Sequence, residues 1–441
     1  MLFFGTSGVR GVYGEKITEG FAVELGEAFG TYVKKKHVAI AIDSRLSGPS
    51  LKKSLAEGLK LAGVDITDFG IVPTPLLAFG TRTIRAGGGV MITASHNPSE
   101  YNGFKTWDSN GRSDTTREEQ EIEDILINKK FELNENKNNI EIVDIKPRYI
   151  EEIKKRFNLN GKLKVIVDCA NGAACEISPF LLREFGYDVV SINDKFDGRF
   201  PNRLPEPIEE NLKETCKKVI EEGAQIGFCH DGDADRMVPI DDKGRVCDLD
   251  KFITFMAKKA IEESGVKKVI TTVEASMILN KELGPDIEVI RTRVGDYAVA
   301  EMLEKQGGCI GVEPAGAILF PEFGLWPDGI YSIFKLLKHL EDEDKPLSEI
   351  MDSIQKYPFQ RLKIICKEED KQRIMQEIEK QIPNDIKVSK IDGIRMEWPN
   401  SWILIRPSGT EPYIRITAEA KTEQDLKGMV NYWEQRIKEL I

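Results

Sequence analysis

The chain has no apolar run approaching the roughly 18 residues that a membrane-spanning helix needs, and its opening Met1-Leu2-Phe3-Phe4 carries neither a basic segment nor a cleavage site. Histidine is scarce. With only His37, His96, His230 and His339, a multi-histidine transition-metal centre would consume nearly the whole supply. The seven cysteines are odd in number, widely spread and free of any C-x-x-C pair, so neither a disulfide framework nor a zinc knuckle is indicated. Basic charge is in deficit, 62 Lys and Arg against 73 Asp and Glu for a net −11, which argues against sequence-independent nucleic-acid binding. No nucleotide-binding P-loop of the Gly-Lys-Ser/Thr type occurs, which removes the commonest kinase architecture. The expectation is a cytoplasmic protein with no membrane or nucleic-acid partner, and nothing identifies a protein partner. What remains is 441 residues, 41% apolar and 31% charged, enough for a large core in about two to four domains.

Along the chain, Phe21, Leu25, Phe29 and Tyr32 form one helical stripe, and Val38–Ile42 reads as a buried strand. A helix from about Pro49 to Leu61 and a strand at Val64–Phe69 complete a strand–helix–strand unit. Two similar units follow. Lys164–Val167 leads through a helix at Ser178–Phe185 to Tyr187–Ile192, and Lys268–Thr271 leads through a helix at Ser276–Leu283 to Ile287–Ile290. The last stretch differs, pairing strand-like Trp402–Ile405 with Tyr413–Thr417 before a helix striped by Leu426, Val430, Trp433 and Ile437. The expected linkers are the polar run 134–139 with Lys146-Pro147, the turn Asp241–Gly244, and Glu341–Pro346. Mixed-charge stretches such as Glu368–Lys371 read as solvated helix faces. The expected fold is α/β: three related α/β domains (1–145, 146–248, 249–353) and a smaller α+β domain (354–441) around a central cleft.

Four loops carry chemistry. Gly87–Ile92 delivers Thr93-Ala94-Ser95-His96-Asn97-Pro98 to the carboxyl end of a strand, where ligands of α/β folds gather, and puts a serine hydroxyl beside an imidazole. A helix-capping turn would look the same in isolation. Ile226–Phe228 runs into Asp231-Gly232-Asp233-Ala234-Asp235-Arg236, whose alternating carboxylates can curl around one hard cation. An EF-hand is excluded, because its register needs Gly at 236 and Glu at 242 where Arg236 and Asp242 stand. Arg406-Pro407-Ser408-Gly409-Thr410-Glu411-Pro412, with Arg415 beyond, offers guanidinium groups, hydroxyls and backbone N–H groups to a phosphate monoester. At the amino end, Gly5-Thr6-Ser7-Gly8-Val9-Arg10-Gly11 is a weaker loop of the same kind. Arg293–Asp296 and Gly311–Gly316 lie on two turns of the third unit, where Asp296 or Glu313 could bind sugar hydroxyls. A serine nucleophile, a carboxylate loop for a cation and a separate phosphate cradle describe phosphoryl transfer, and two phosphate positions imply transfer within one molecule.

These motifs, in this order and over essentially the whole chain, make the sequence closely resemble the α-D-phosphohexomutase superfamily. The resemblance implies that Ser95 carries a phosphoryl group, with Mg²⁺ held by that phosphate and by Asp231, Asp233 and Asp235. It implies that Arg10 and Arg236, with His96 beside Ser95, support the reacting groups. Arg406, Ser408, Gly409, Thr410 and Arg415 would hold the phosphate not being transferred, and Glu313 would bind sugar hydroxyls. The implied reaction interconverts hexose 1- and 6-phosphates through a hexose 1,6-bisphosphate, both intermediate and activator, with the carboxyl-terminal domain swinging as a lid. One departure stands out: Ala315-Gly316-Ala317 replaces the Ser-Gly-His that follows the sugar-loop Glu in many members, and Lys105 becomes the expected general acid/base. Val294-Gly295-Asp296 is similar to the phosphoglucosamine mutase version, and a carboxylate there favours the 2-ammonium of glucosamine. The expected substrate is therefore a glucosamine phosphate, ahead of glucose or mannose phosphates and a pentose phosphate. A non-catalytic sugar-phosphate sensor is the alternative from another class.

Overall fold

A computed structural model describes residues 3–5, 8–34, 37–134, 139–159, 161–408 and 412–441. The first sheet contains β1 (Val9–Val12), β2 (Val38–Ile42), β3 (Ile66–Ile71), β4 (Gly88–Ile92), β5 (Tyr101–Asp108) and β6 (Ile140–Ile142), in the order β1-β5-β4-β2-β3-β6. Strand β2 runs parallel to β3 and β4, and β5 turns back antiparallel to β4. Its apolar run is buried on both faces, as expected of a central parallel strand. Val38, Ile40 and Ile42 pack under the helices at 19–32, 48–61 and 116–127, whereas Ala39 and Ala41 face the helices at 74–83 and 146–156.

The same plan recurs twice. The second sheet, of β7 (Lys164–Asp168), β8 (Asp188–Ile192), β9 (Ile226–His230) and β10 (Met237–Ile240), has β7 parallel to β8 and β9, with β10 antiparallel to β9. The third, of β11 (Lys268–Thr272), β12 (Glu288–Thr292), β13 (Ile310–Val312) and β14 (Ile318–Leu319), repeats it with β11 central and β14 antiparallel to β13. In each unit one loop joins a parallel strand, β4, β9 or β13, to the antiparallel strand beside it. Those three equivalent loops contain Ser95, the Asp231–Asp235 cluster and Glu313. The final sheet, β15 (Phe359–Ile365), β16 (Lys387–Ser389), β17 (Ile394–Trp398), β18 (Ser401–Pro407) and β19 (Tyr413–Ala420), is antiparallel and backed by helices at 368–379 and 423–440.

The strands and helices expected from the sequence are present with small shifts, such as β3 at Ile66–Ile71 rather than Val64–Phe69. The linkers differ more. Lys146-Pro147 opens the helix Lys146–Arg156, because proline suits a first turn whose N–H is unused. Asp241–Gly244 is a tight turn within the second unit, and Glu341–Glu343 still belongs to the helix Gly329–Glu343. Of the polar run 134–139, residues 135–138 lie outside the described residues, as do Gly409 and Thr410. Among the described residues no helix is long and apolar enough to cross a membrane.

Candidate active site

The serine loop is built from backbone strain and short polar contacts. Ser95 is buried and has a φ of +51°, in the left-handed region that costs a side-chain-bearing residue energy. Thr93 Oγ1 accepts from the Ser95 N–H at 2.8 Å and donates to Asp43 Oδ2 at 2.7 Å. The Ser95 hydroxyl donates to Asp231 Oδ2 at 2.8 Å and lies 3.2 Å from His96 Nδ1. Gly232 permits this approach: a Cβ there would stand 2.5 Å from the Ser95 carbonyl oxygen. Arg236, burial and Arg10 together push the His96 imidazolium down to about 2, so the imidazole stays neutral beside the serine.

Asp231, Asp233 and Asp235 are all buried and place one oxygen each within 4.8 Å of one another. Burial, then Asp235 and Asp233, push the Asp231 carboxyl up. Lys105, on β5, donates to Asp233 Oδ2 at 2.9 Å and Asp235 Oδ2 at 2.7 Å. Burial works against its ammonium, but Asp233 and Asp235 more than offset that and hold it charged. The ammonium form is thereby held, and the neutral amine that a base would need is disfavoured. Thr74, at the start of the helix Thr74–Thr83, donates to Asp233 Oδ2 at 2.6 Å. Asp233 Oδ1 and Asp235 Oδ1 remain buried without a hydrogen-bond partner. Three converging carboxylates with two orphaned oxygens suit a hard divalent cation.

Around this centre, Arg10 on β1 reaches Asn97 Oδ1 at 3.5 Å and leaves its buried Nε unpaired. Arg236 Nε lies 3.9 Å from Asp235 Oδ1, and a backbone bridge from Arg236 to Ala317 ties the carboxylate loop to the loop that carries Glu313. Ala317 is buried and contributes its backbone, its carbonyl accepting from the Glu313 N–H at 3.0 Å. Glu313 accepts from the Gly295 N–H at 3.0 Å. Burial and Asp296 push its carboxyl up to about 7 against the pull of Arg236. Asp296 opens the helix Asp296–Gln306, keeps Oδ2 buried and unpartnered, and is also pushed up by burial.

On the carboxyl-terminal sheet Arg406 and Arg415 are cross-strand partners. Arg406 Nε donates to Asp392 Oδ1 at 2.8 Å, and Arg415 Nη2 to the Tyr413 hydroxyl at 3.1 Å. The Ser408 carbonyl accepts from Lys371 Nζ at 2.6 Å. Glu368 and Glu369 are exposed at the start of the helix Glu368–Glu379, as expected of a solvated face, and Asp370 is half-buried, but Lys371 departs from that expectation and is buried beneath Ser408.

The sequence reading missed four further residues. Arg45 and Asp43, just beyond β2, clamp the serine loop, while Glu274, just beyond β11, and Asp392 contact Arg406. The one signal available was position: Asp43, Arg45 and Glu274 all follow the carboxyl end of a central parallel strand.

Comparison with known proteins covers the whole of this arrangement. Four segments match the phosphoglucomutase/phosphomannomutase family: its alpha/beta/alpha domain I over residues 1–133, domain II over 147–244, domain III over 248–357 and C-terminal domain over 362–432. A probable phosphoglucosamine mutase of Pyrococcus furiosus is 41% identical over 100% of this chain and 98% of its own. A phosphoglucosamine mutase of Methanocaldococcus jannaschii is 40% identical over 99% of this chain and 98% of its own. A solved phosphoglucomutase/phosphomannomutase family protein from Burkholderia thailandensis superposes with a TM-score of 0.90 at 27% identity, covering 99% of this chain and 97% of that one. With the serine, carboxylate, Glu313 and paired-arginine loops all inside the matched segments, which together span most of the chain, the chain belongs to the phosphoglucomutase/phosphomannomutase family.

Proposed function

We propose that this protein is a phosphosugar mutase that interconverts glucosamine 6-phosphate and glucosamine 1-phosphate through a phosphorylated Ser95 and a hexose 1,6-bisphosphate. The observation that carries the reading is the Ser95 hydroxyl at 2.8 Å from the first of three clustered carboxylates, in a chain that also holds a paired-arginine cradle. The phosphoryl group passes from Ser95 Oγ to the free sugar hydroxyl; the P–O bond to Ser95 breaks as the new P–O bond forms, and the proton released by the sugar hydroxyl is balanced by the one that Ser95 Oγ takes up. After the bisphosphate reorients, the other phosphoryl group returns to Ser95. Lys105 acts as a charged donor that also holds Asp233 and Asp235, and Arg10 offers its unpaired Nε to the transferring group. His96 accompanies the serine as a neutral imidazole. Asp231, Asp233, Asp235 and the phosphoserine would hold Mg²⁺, which supplies positive charge against the transferring phosphoryl group.

Arg406, Ser408 and Arg415, with Gly409 and Thr410, hold the second phosphate on this reading. The carboxyl-terminal unit closes as a lid to exclude water. The divisions that follow are at 145/146, 248/249 and 353/354, which leave each sheet within one unit. A cytoplasmic place of action goes with seven cysteines that are all free.

Substrate choice rests on Asp296 and Glu313. Two neighbouring carboxyls, one with an orphaned oxygen, favour an ammonium over a hydroxyl at C2. The test supplies glucosamine, glucose and mannose 6-phosphates separately, with Mg²⁺ and a trace of hexose 1,6-bisphosphate, and follows the 1-phosphate by phosphorus NMR. Glucosamine 6-phosphate turns over fastest, and Asp296→Asn narrows its advantage by about tenfold, the worth of one hydrogen bond to a charged group. Faster turnover of glucose or mannose 6-phosphate contradicts the choice of sugar.

A further inference from the structure

We propose that Glu274 is a resident anion of the phosphate cradle, occupying guanidinium groups that the substrate phosphate must take from it. The inference rests on the reading of Arg406 and Arg415 as that cradle. Glu274 Oε1 lies 3.4 Å from Arg406 Nη1 and 3.7 Å from Arg415 Nη1, and its Oε2 lies 3.7 Å from Arg361 Nη2. One carboxylate of the third unit thus faces three arginines of the carboxyl-terminal unit. Its own side chain is largely buried, at 12% exposure.

The carboxylate is placed by the backbone on either side of it. Arg395 Nη1, from the carboxyl-terminal sheet, donates to the Val273 carbonyl at 2.5 Å and the Ala275 carbonyl at 3.3 Å. Glu419 accepts from Ser276 Oγ at 2.6 Å and the Met277 N–H at 2.8 Å. The 273–277 turn is therefore gripped by the same sheet whose arginines Glu274 faces. Arg406 has a second acidic partner in Asp392, but that bond uses Nε and leaves the Nη edge to Glu274. A phosphate binding both arginines would bring its own negative charge against the Glu274 carboxylate, a repulsion relieved only if the carboxylate or the whole carboxyl-terminal sheet withdraws. Coupling of this kind is reciprocal: a phosphate loosens the contact between the two units, and the contact weakens the phosphate. The cradle thereby senses its own occupancy and transmits it to the boundary about which the lid turns.

The test measures binding of inorganic phosphate by titration calorimetry at constant ionic strength in the native protein and in Glu274→Gln, Glu274→Asp and Asp392→Asn variants. Displacement predicts a dissociation constant at least about fivefold lower in Glu274→Gln, the lower end of typical coupling between sites. It predicts a value near native in Glu274→Asp, which keeps the charge, and no tightening in Asp392→Asn. An unchanged or weakened affinity in Glu274→Gln overturns the proposal, as does equal tightening in Asp392→Asn, which would mark a general field effect. Phosphate heat that survives Arg406→Ala, or is absent from the native protein, overturns it at the level of the cradle itself.

Discussion

Arg45 donates to four backbone carbonyls of the serine segment: Ser95 at 3.0 Å, Asn97 at 2.6 Å, Pro98 at 2.5 Å and Tyr101 at 2.9 Å. Its Nε pairs with Asp43 at 3.0 Å, and both side chains are fully buried. The planar guanidinium fixes the strained turn on which Ser95 sits, and five donors in one plane are what that geometry requires. Arg45→Ala would leave Asp43 buried without its counter-charge and four carbonyls without a donor. It should cost about 3–5 kcal/mol in urea unfolding, as for one partner removed from a buried pair. Arg45→Lys should recover only part of that, because an ammonium has three donors in the wrong arrangement. A loss below about 1 kcal/mol in the alanine variant would contradict the clamp.

At the scale of elements, the chemistry-bearing loops were legible because each is a continuous run. Ser95 and His96 are adjacent, and Asp231, Asp233 and Asp235 alternate along one turn. Central strands such as β2 and β4 were legible for a similar reason, since burial on both faces leaves an uninterrupted apolar string. Strand β1 was not: Val9-Arg10-Gly11-Val12 is short, carries an arginine and owes its existence to pairing with β5. The likeness among the three α/β units was visible only as similar element lengths. What they share is a topology and the position of one loop, and neither needs a common residue. The clamps escaped for a further reason. Arg45 and the serine segment are separated by 50 to 56 residues, Glu274 and Arg406 by 132, and Lys371 and Ser408 by 37. Such partners meet only after the sheets have packed, so no local pattern records them.

For the whole molecule, the pH dependence of stability follows from buried carboxyls. Burial pushes Glu119 up to about 8 and Asp250 and Asp328 up to about 7, whereas in the unfolded chain such groups ionise near about 4. Between those values the folded state holds more protons than the unfolded, so stability falls as pH rises. The buried His230 and His339 are pushed the other way, to about 4, and their opposing effect dies away through about pH 6.5, where a free histidine titrates. Above about pH 6.5 the carboxyls dominate. The melting midpoint should fall from about pH 6.5 to about 8.5, and Glu119→Gln should flatten that fall. A midpoint that climbs over this interval would contradict the burial of these groups.

The central claim is that Ser95 carries the phosphoryl group, and intact-mass measurement after treatment with hexose 1,6-bisphosphate and Mg²⁺ tests it most directly. The native protein should gain one phosphate, located on the peptide containing Ser95, and lose it when hexose 6-phosphate is added. Ser95→Ala should gain none. Equal labelling of the variant, or no labelling of the native protein under these conditions, would contradict the phosphoserine mechanism.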